Sequence, residues 1–378
     1  MNPSINPSVS LLEHFESIDE PRTEYLIAHQ LLDIIAITIC AVICGAESWV
    51  EIEEYGYSKQ EWLKQFLALP NGIPSRDTIR RLFTQLDPEQ LQSCFLSWIK
   101  TIAQLTEGEV IAIDGKTLRH SYDTGKNKGA IHMVSAWASQ NHLVLGQVKV
   151  SEKSNEITAI PKLLKILEIQ GCIVTIDAMG TQKTIAREII EGGGNYILSL
   201  KGNQGKIHQD VQQLFDWGFK TQFKNIPHES HVTINKGHGR IEIRRHWLLS
   251  SVEYLIDAQL WPGLKRVGLI ESERRVKGQL ATIERRYYLL SLDGEIERFA
   301  QAVRSHWGIE NQLHWCLDVA FNEDDSRIRS GHAPENMALI RHIALNLLSK
   351  ETSFKAGKKA KRLKAGWDNA YLAKVLAT

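Results

Sequence analysis

The chain has 378 residues, of which 43% are hydrophobic and 24% charged, and its formal net charge is +1. This length and composition predict a folded protein of two or three units and exclude a disordered chain. The near-neutral charge does not by itself indicate a nucleic-acid partner, so any such binding must depend on local basic patches.

Cysteine content and apolar stretches predict the cellular compartment. The five cysteines include no CxxC pair, which favours a reducing compartment and argues against disulfides and a zinc ribbon. The start of the chain has no basic residue and no early apolar run, so no secretory signal is expected. The longest apolar stretch, residues 34–45, is shorter than the ~20 residues that span a bilayer. We therefore predict a cytoplasmic protein that makes no membrane contact.

Residues 1–106 are predicted to form an all-helical N-terminal domain with a DNA-binding or accessory role. Helices are expected over 11–18, 24–45, 48–55, 59–69, 75–86 and 87–106. The fifth of these follows a Pro- and Gly-rich break, is capped by Ser75 and carries Arg76, Arg80 and Arg81. A short break before a basic helix is typical of a helix-turn-helix recognition element, and an exposed basic helix face is an equally good interpretation.

Strand patterns begin at residue 107 and predict a second unit over 107–204. Two short apolar runs each end in an aspartate: residues 110–113 precede Asp114, and residues 172–176 precede Asp177. A hairpin over 130–150 and a further strand at 195–200 would complete five strands, with helices at 156–168 and 181–191. A single aspartate at a strand end is most simply a turn residue. Two of them, followed later by a carboxylate on a helix, are a more specific signal and give the layout needed to hold divalent cations.

Three further segments complete the chain. Residues 205–292 are predicted to form a β-rich insertion, with strands at 231–234, 240–249, 266–273 and 281–290. This insertion is rich in cations: Arg240, Arg244, Arg245, Arg274, Arg275, Lys277, Arg285 and Arg286. Residues 293–350 are predicted to be helical, with helices at 296–319 and 334–348. Residues 351–378 are read as a basic tail whose 355–364 run is either solvated or in contact with phosphate.

A polar and aromatic cluster in residues 304–318 supplies a third carboxylate. His306, Glu310 and His314 are spaced four residues apart, which places them on one face of a helix. Glu310 with Asp114 and Asp177 gives three oxygen donors from three places in the sequence, and oxygen donors suit Mg²⁺. Two such ions could activate a nucleophilic oxygen and stabilise the leaving oxygen of a phosphodiester.

Other interpretations of this cluster stay open. His306 and His314 with Glu310 or Asp318 could form a zinc hydrolase centre, although the spacing lacks the HExxH form. Glu310 alone could be an ordinary polar residue on an aromatic-packed helix. Competing candidates for the third metal ligand are Asp318, Glu323, Asp324 and Asp325.

Several motifs together resemble those of insertion-sequence transposases that include the H-repeat-associated proteins. These motifs are IDGKTLRHS at 113–121, TIDAMGTQ at 175–182, YILSLKGNQ at 196–204 and HWGIENQLHWCLDVAFNED at 306–324. The segments GAESWVEIEEYG at 45–56 and LPNGIPSRDTIRRLF at 69–83 resemble the accompanying helical domain. The resemblance implies a DDE enzyme of the retroviral-integrase superfamily, with a ribonuclease-H-like mixed five-stranded sheet flanked by helices.

The resemblance also implies which residues act. It makes Asp114, Asp177 and Glu310 both the catalytic and the metal-binding residues, with two Mg²⁺ or Mn²⁺ ions. Related transposases often have Tyr and Arg seven and four residues before the Glu, and Lys seven after it. Those positions here are Val303, His306 and Leu317. We therefore predict that Arg304 and His306 take over the phosphate contact.

The predicted function is DNA transposition. The enzyme would cut one strand at the element ends and transfer the freed 3′-OH into target DNA. Alternatives are a metal-dependent nuclease that does not join DNA and an inactive DNA-binding relic. The expected partners are double-stranded DNA, as terminal inverted repeats and target, and a second subunit in a homodimeric synaptic complex. The DNA-binding candidates are Lys116, Arg119, Lys201, Arg240, Arg244, Arg245, Arg304, His306, Arg76, Arg80 and Arg81.

Overall fold

One nine-stranded mixed sheet runs through the protein. The computed structural model describes residues 10–122, 129–151, 155–237, 239–276 and 278–378; Lys277 of the predicted cationic set lies outside the described residues. The strands are β1 (Val110–Thr117), β2 (His132–Ala138), β3 (Leu143–Lys149), β4 (Ile173–Ile176), β5 (Asn195–Leu200), β6 (His228–Gly237), β7 (Arg240–Leu249), β8 (Arg266–Val276) and β9 (Thr282–Leu290). Their order across the sheet is β3-β2-β1-β4-β5-β9-β8-β7-β6.

The centre of the sheet is a buried strand between an antiparallel and a parallel neighbour. β1 pairs antiparallel with β2 and parallel with β4, and β4 pairs parallel with β5. All four residues of β4 and the first four of β1 are buried, as expected for strands covered on both faces by helices. The predicted mixed α/β class is therefore confirmed.

The predicted five-stranded sheet is not a separate sheet. β9 pairs antiparallel with β5, so β6–β9 extend the sheet from five strands to nine. All four strands predicted between residues 205 and 292 are present, but they do not form a sheet of their own. The physical reason is that the backbone groups on the outer edge of β5 are satisfied by β9 rather than by water.

Thirteen α-helices lie within the described residues. They are α1 (Ser10–Glu13), α2 (Leu31–Ile43), α3 (Trp49–Leu63), α4 (Arg76–Gln85), α5 (Pro88–Ile102), α6 (Glu156–Ile166), α7 (Lys183–Glu191), α8 (Gly205–Lys220), α9 (Ile296–Gly308), α10 (Trp315–Phe321), α11 (Ala333–Lys350), α12 (Lys358–Trp367) and α13 (Asn369–Leu376). A π-helical segment, Ile309–His314, joins α9 to α10. The helix predicted over 296–319 therefore exists, but it is not α-helical throughout.

The N-terminal helices differ from prediction in their boundaries. The helix predicted over 24–45 begins only at Leu31, and the two helices predicted over 48–69 are the single helix α3. A capping box between Ser48 and Glu51 starts α3. α3 runs through Gly56, where a Cβ would lie 2.6 Å from Cγ2 of Ile73. This glycine therefore serves close packing against the loop before α4.

The C-terminal segment is folded, so the prediction of a basic tail over 351–378 is wrong. Helix α12 contains most of the basic run, and both Lys361 and Arg362 are buried. The Lys361 amine donates to the carbonyl of Leu348, the last buried residue of α11. None of the helices in the described ranges combines the length and apolar character that a bilayer crossing needs.

Candidate active site

Asp114 and Asp177 lie at equivalent positions of two adjacent parallel strands. The register pairs Ile113 of β1 with Ile176 of β4, and each aspartate is the next residue. The pairing of β1 with β4 therefore brings the two carboxylates to the same level of the sheet. Asp177 directly follows β4, as predicted, whereas Asp114 is the fifth residue of β1 and does not end that strand, which continues to Thr117.

Asp177 also has a turn-forming role. Its Oδ1 accepts hydrogen bonds from the backbone N–H groups of Met179 at 3.0 Å and Gly180 at 3.3 Å. The side chain therefore fixes the turn between β4 and α7, as a strand-end aspartate commonly does. This role and a role in a site coexist at one residue.

Asp114 lies in a region of concentrated negative charge. Burial raises its pKa to about 7; a hydrogen bond from the Gly115 amide opposes the rise, and the charges of Asp177, Glu156 and Glu310 add to it. The nearest basic group is Nδ1 of His314, 3.6 Å from Oδ2. Burial lowers the pKa of His314 to about 4, so this imidazole is neutral at pH 7 and does not offset the carboxylates.

Glu310 is the second residue of the π-helical segment and is exposed. It lines a cavity of about 240 Å³ together with Asp177, Lys201 and His306. Asp114 does not line this cavity; it is half-buried on the strand next to the one that ends before Asp177. The structure thus brings all three predicted carboxylates into one region, with Asp177 and Glu310 sharing the open space.

The acidic side chains fit a divalent cation by their chemistry but are not arranged as a complete ligand set. Across the part of the chain that the structure describes, no three His, Cys, Asp or Glu side chains are grouped closely enough to hold a metal ion. This excludes a preformed zinc centre at His306 and His314 within those residues. Carboxylate oxygens are nevertheless the donors that Mg²⁺ takes, and a cation would relieve the repulsion that contributes to the raised pKa of Asp114.

The competing acidic residues have other partners. The Lys116 amine lies 2.6 Å from Asp318, 2.9 Å from Glu323 and 3.2 Å from Asp324. Asp325 is exposed, and its only ion pair among the described residues is a 3.9 Å contact with His120. These carboxylates are therefore balanced locally, in contrast to Asp114, Asp177 and Glu310. Lys116 itself, predicted to contact DNA, is only 11% exposed and its amine is already surrounded by carboxylates.

Sequence reasoning missed one polar pair in the site. His132 Nε2 donates to Glu156 Oε1 at 2.6 Å, and both atoms lie where a Cβ of Gly115 would be. The pair thus covers the backbone next to Asp114, and a side chain at position 115 would displace it. The only sequence signal was the hairpin prediction itself, because the register places His132 opposite Thr117.

Each of the strands β7, β8 and β9 contains two consecutive arginines, at 244–245, 274–275 and 285–286. Consecutive residues of a strand point to opposite faces of the sheet, so each pair places one arginine on each face. Strand alternation turns Arg244, Arg274 and Arg286 to one face, where they line a cavity of about 940 Å³ with Arg240 and Arg304. Arg245, Arg275 and Arg285 lie on the opposite face. All three are paired there with Glu271 or Glu273. On the cavity face, Arg240 and Arg244 are paired with Glu242, and Arg286 is paired with Glu284.

The arginine-lined cavity adjoins the carboxylate cavity. Arg286 and Trp307 line both, and the Arg286 guanidinium lies 5.1 Å from the centre of the Trp307 ring. Lys201 lines only the carboxylate cavity, whereas Arg304 lines only the larger cavity. The larger cavity, whose lining holds five arginines and three glutamates, therefore adjoins the cavity of Asp177 and Glu310.

Four other predicted DNA-binding residues, Arg76, Arg80, Arg81 and Arg119, line neither cavity. Arg76, Arg80 and Arg81 are exposed on α4, where Arg80 forms a 3.4 Å ion pair with Asp77. Arg119 is largely exposed and lies 3.2 Å from Asp324. His306 lines the carboxylate cavity, but its Nδ1 is hydrogen-bonded to Thr175 Oγ1 at 2.9 Å.

Comparison with known proteins gives agreement over almost the whole chain. Residues 105–347 match the family described as "Transposase DDE domain", and residues 12–99 match the family described as "DDE_Tnp_1-associated". The chain is 45% identical over 373 residues to the "H repeat-associated putative transposase YhhI" of Escherichia coli strain K12, with 97% of each chain covered.

A second relative and one solved structure are also similar. YncI of Escherichia coli O157:H7, also named a transposase, is 44% identical over 372 residues, which cover 98% of this chain and 95% of that protein. The structure of a piggyBac transposase synaptic complex with hairpin DNA aligns with a TM-score of 0.41 and 13% identity, over 98% of this chain and 77% of that chain.

Proposed function

Because the chain belongs to the Transposase DDE domain family, we propose that it cuts DNA at the ends of its own element and joins the freed 3′-OH to target DNA. Asp114, Asp177 and Glu310 are the catalytic carboxylates of this proposal. The observation that carries it is the adjacency of Asp114 and Asp177 on β1 and β4, with Glu310 facing Asp177 across one cavity. We also propose that the first five strands, β1 to β5, have a ribonuclease-H-like organisation.

Asp114, Asp177 and Glu310 would hold two Mg²⁺ or Mn²⁺ ions. When bound, such ions activate an attacking oxygen and stabilise a leaving oxygen at phosphorus. The chain contributes carboxylates that have no lysine or arginine partner among the described residues. It also contributes a neutral His314 beside Asp114, which adds no positive charge to compete with a cation.

DNA would lie along the arginine-lined cavity. Arg240, Arg244, Arg274, Arg286 and Arg304 are placed to contact phosphates, and Lys201 would do so next to Glu310. Contacts of this kind position DNA without reading its sequence and make binding salt-dependent. Base-specific recognition of the element ends would then fall to the helical residues 1–106, with Arg76, Arg80 and Arg81 on the exposed face of α4. A homodimer would hold two ends together.

The test uses purified protein, a plasmid carrying the element's own ends, and Mg²⁺ or Mn²⁺. We expect nicks at the ends followed by joined products. We expect Asp114→Asn, Asp177→Asn and Glu310→Gln each to lower both by on the order of a thousand-fold or more, because each removes a negative charge that would hold the metal ions. Asp293→Asn is the matched control, since Asp293 follows a strand but is exposed and paired with Lys265.

Each result of this assay has a distinct meaning. Nicks without joined products would indicate a nuclease of the same family. Binding to the ends without cleavage by any form would indicate an inactive relic. Cleavage that persists in all three carboxylate variants would contradict the proposed site.

A further inference from the structure

Glu310 lies in a π-helical segment between two α-helices. The six residues Ile309–His314 form a π-helix between α9 and α10, and Glu310 is exposed within it. A π-helical turn has one more residue than an α-helical turn and is a rare, less regular arrangement. The position of the Glu310 carboxylate must therefore depend on how α9 and α10 are attached to the sheet.

The attachment on the α9 side is a hydrogen bond to β4. His306, four residues before Glu310, is joined through Nδ1 to Thr175 Oγ1 at 2.9 Å. Thr175 is buried and lies two residues before Asp177. Burial lowers the pKa of His306, so the bond is made by a neutral ring.

The attachment on the α10 side is an ion-pair cluster on β1. Lys116, two residues after Asp114, lies 2.6 Å from Asp318 of α10 and 2.9 Å from Glu323 just beyond it. The Lys116 side chain is 11% exposed and that of Glu323 is 2% exposed. Water therefore screens these contacts little, and the amine cannot leave the carboxylates without a large desolvation cost.

The positive and negative charges of this cluster are equal in number. Glu323 is also 3.7 Å from Arg341 of α11, and Asp324 is 3.2 Å from Arg119. Three cations, Lys116, Arg119 and Arg341, thus meet the three anions Asp318, Glu323 and Asp324. Lys116, Glu323 and Arg341 are the most buried members, and loss of one of them would leave a buried charge without its partner. Asp318 joins α10 to these residues, so the cluster holds α10 against β1.

We infer that Lys116 and His306 are positioning residues for Glu310. Each fastens one side of the Glu310 segment to the strand that carries one of the two aspartates: Lys116 to the strand of Asp114, and His306 to the strand of Asp177. This inference rests on the proposed function and replaces the predicted DNA contacts of both residues.

The main variant is Lys116→Met, which keeps the length of the side chain and removes its charge. Lys149→Met is the matched control, because Lys149 also joins a strand of the sheet to a helix, 3.6 Å from Glu335 of α11, but away from Glu310. Mn²⁺ affinity is measured on the protein without DNA by electron paramagnetic resonance, below the unfolding temperature of each form. We expect Lys116→Met to weaken Mn²⁺ binding on the order of ten-fold, with Lys116→Arg partly restoring it and Lys149→Met leaving it unchanged.

Two milder variants keep the test valid if Lys116→Met does not fold. Asp318→Asn weakens the ion pairing of Lys116 at the most exposed of its three carboxylate partners. Thr175→Val removes the hydrogen-bond partner of His306 at nearly constant side-chain volume. Both should weaken Mn²⁺ binding in the same direction. In the cleavage assay, both should lower kcat and leave the KM for element DNA unchanged, because neither residue touches DNA in this inference.

The outcomes separate this inference from the proposed function. Wild-type Mn²⁺ affinity and kcat in Asp318→Asn and Thr175→Val would overturn the inference alone. A raised KM with a shallower salt dependence in Lys116→Met would mean that Lys116 contacts DNA, which also overturns it. Unchanged Mn²⁺ binding in Asp114→Asn and Asp177→Asn would overturn the proposed site itself.

Discussion

Burial removes charge from both acidic and basic side chains around the candidate site. It raises the pKa of Asp114 to about 7 and lowers the pKa of His314 and of His342 to about 4. The cause is the same in all three, because a low-dielectric surrounding disfavours whichever form carries charge. At neutral pH the two imidazoles are therefore uncharged, and the local positive charge comes from Lys116 and Arg341.

His342 should make the protein sensitive to mild acid. It lies buried in α11 near Glu323, which favours its protonation, and near His314, Lys116 and Arg341, which oppose it. Between pH 6.5 and about 4 the unfolded chain binds this proton and the folded chain does not, so stability falls as the pH falls. From this side chain alone we expect a loss of about 3 kcal/mol between pH 7 and pH 4.

The measurement is the urea midpoint as a function of pH. His342→Gln should flatten the decline between pH 7 and pH 4, whatever its effect on stability at pH 7. His332→Gln, at the exposed start of the same helix, shows the effect of losing a histidine that is not buried. Equal slopes in wild type and His342→Gln would contradict the assignment.

At the scale of the elements, strand alternation turns a sequence rich in arginine into a sheet with two different faces. The strands themselves were predictable from their alternating pattern, and so was the separation of Arg244 from Arg245. Which glutamate pairs with which arginine was not predictable, because it depends on the register that sets Glu271 opposite Arg245 and Arg285. Only the structure shows that Arg245 is paired with Glu271 on one face and Arg244 with Glu242 on the other.

This division predicts unequal contributions to DNA binding. Arg274 and Arg304 line the larger cavity and are exposed, so the double variant Arg274→Gln/Arg304→Gln should reduce the slope of log affinity against log salt by roughly 2. The control, Arg245→Gln/Arg275→Gln, removes two arginines from the opposite face and should leave the slope unchanged. Fluorescence anisotropy over a KCl series with labelled element DNA gives both values. Equal slopes for the two double variants would contradict a DNA path on this face.

The long-range contacts of the candidate site could not be predicted from the sequence. Asp114, Asp177 and Glu310 stood out because each lies in a short motif, and the parallel pairing of β1 with β4 brings the first two together as expected. No local pattern indicates that Lys116 meets Asp318, some 200 positions later, or that the helix at Glu310 is π-helical. Spacing rules assume a regular helix, and tertiary contacts overrode that regularity here.

At the scale of the whole molecule, the C-terminal helices join the N-terminal helices to the helical part of the candidate site. Arg362 of α12 donates through Nε and Nη2 to the carbonyl of Val42 at the end of α2, and through Nη1 to the carbonyl of Ala320 in α10. Its guanidinium also lies 4.3 Å from the centre of the Phe321 ring. One buried side chain thus satisfies carbonyls at the ends of two helices, which are left without partners inside their own helices.

Arg362 should consequently matter for folding and not for DNA. Arg362→Ala removes the side-chain donor of the Ala320 carbonyl and leaves the Val42 carbonyl only its backbone donors near the end of α2, so we expect a loss of about 2 kcal/mol in the free energy of unfolding. Lys359→Ala, on the exposed side of the same helix, should cost little. Well below the unfolding temperature, Arg362→Ala should keep the wild-type salt dependence of DNA binding, because a guanidinium held by two carbonyls has no contact with phosphate to lose. A shallower salt dependence in Arg362→Ala but not in Lys359→Ala would instead mean that α12 opens to bind DNA and that its basic residues contact phosphate.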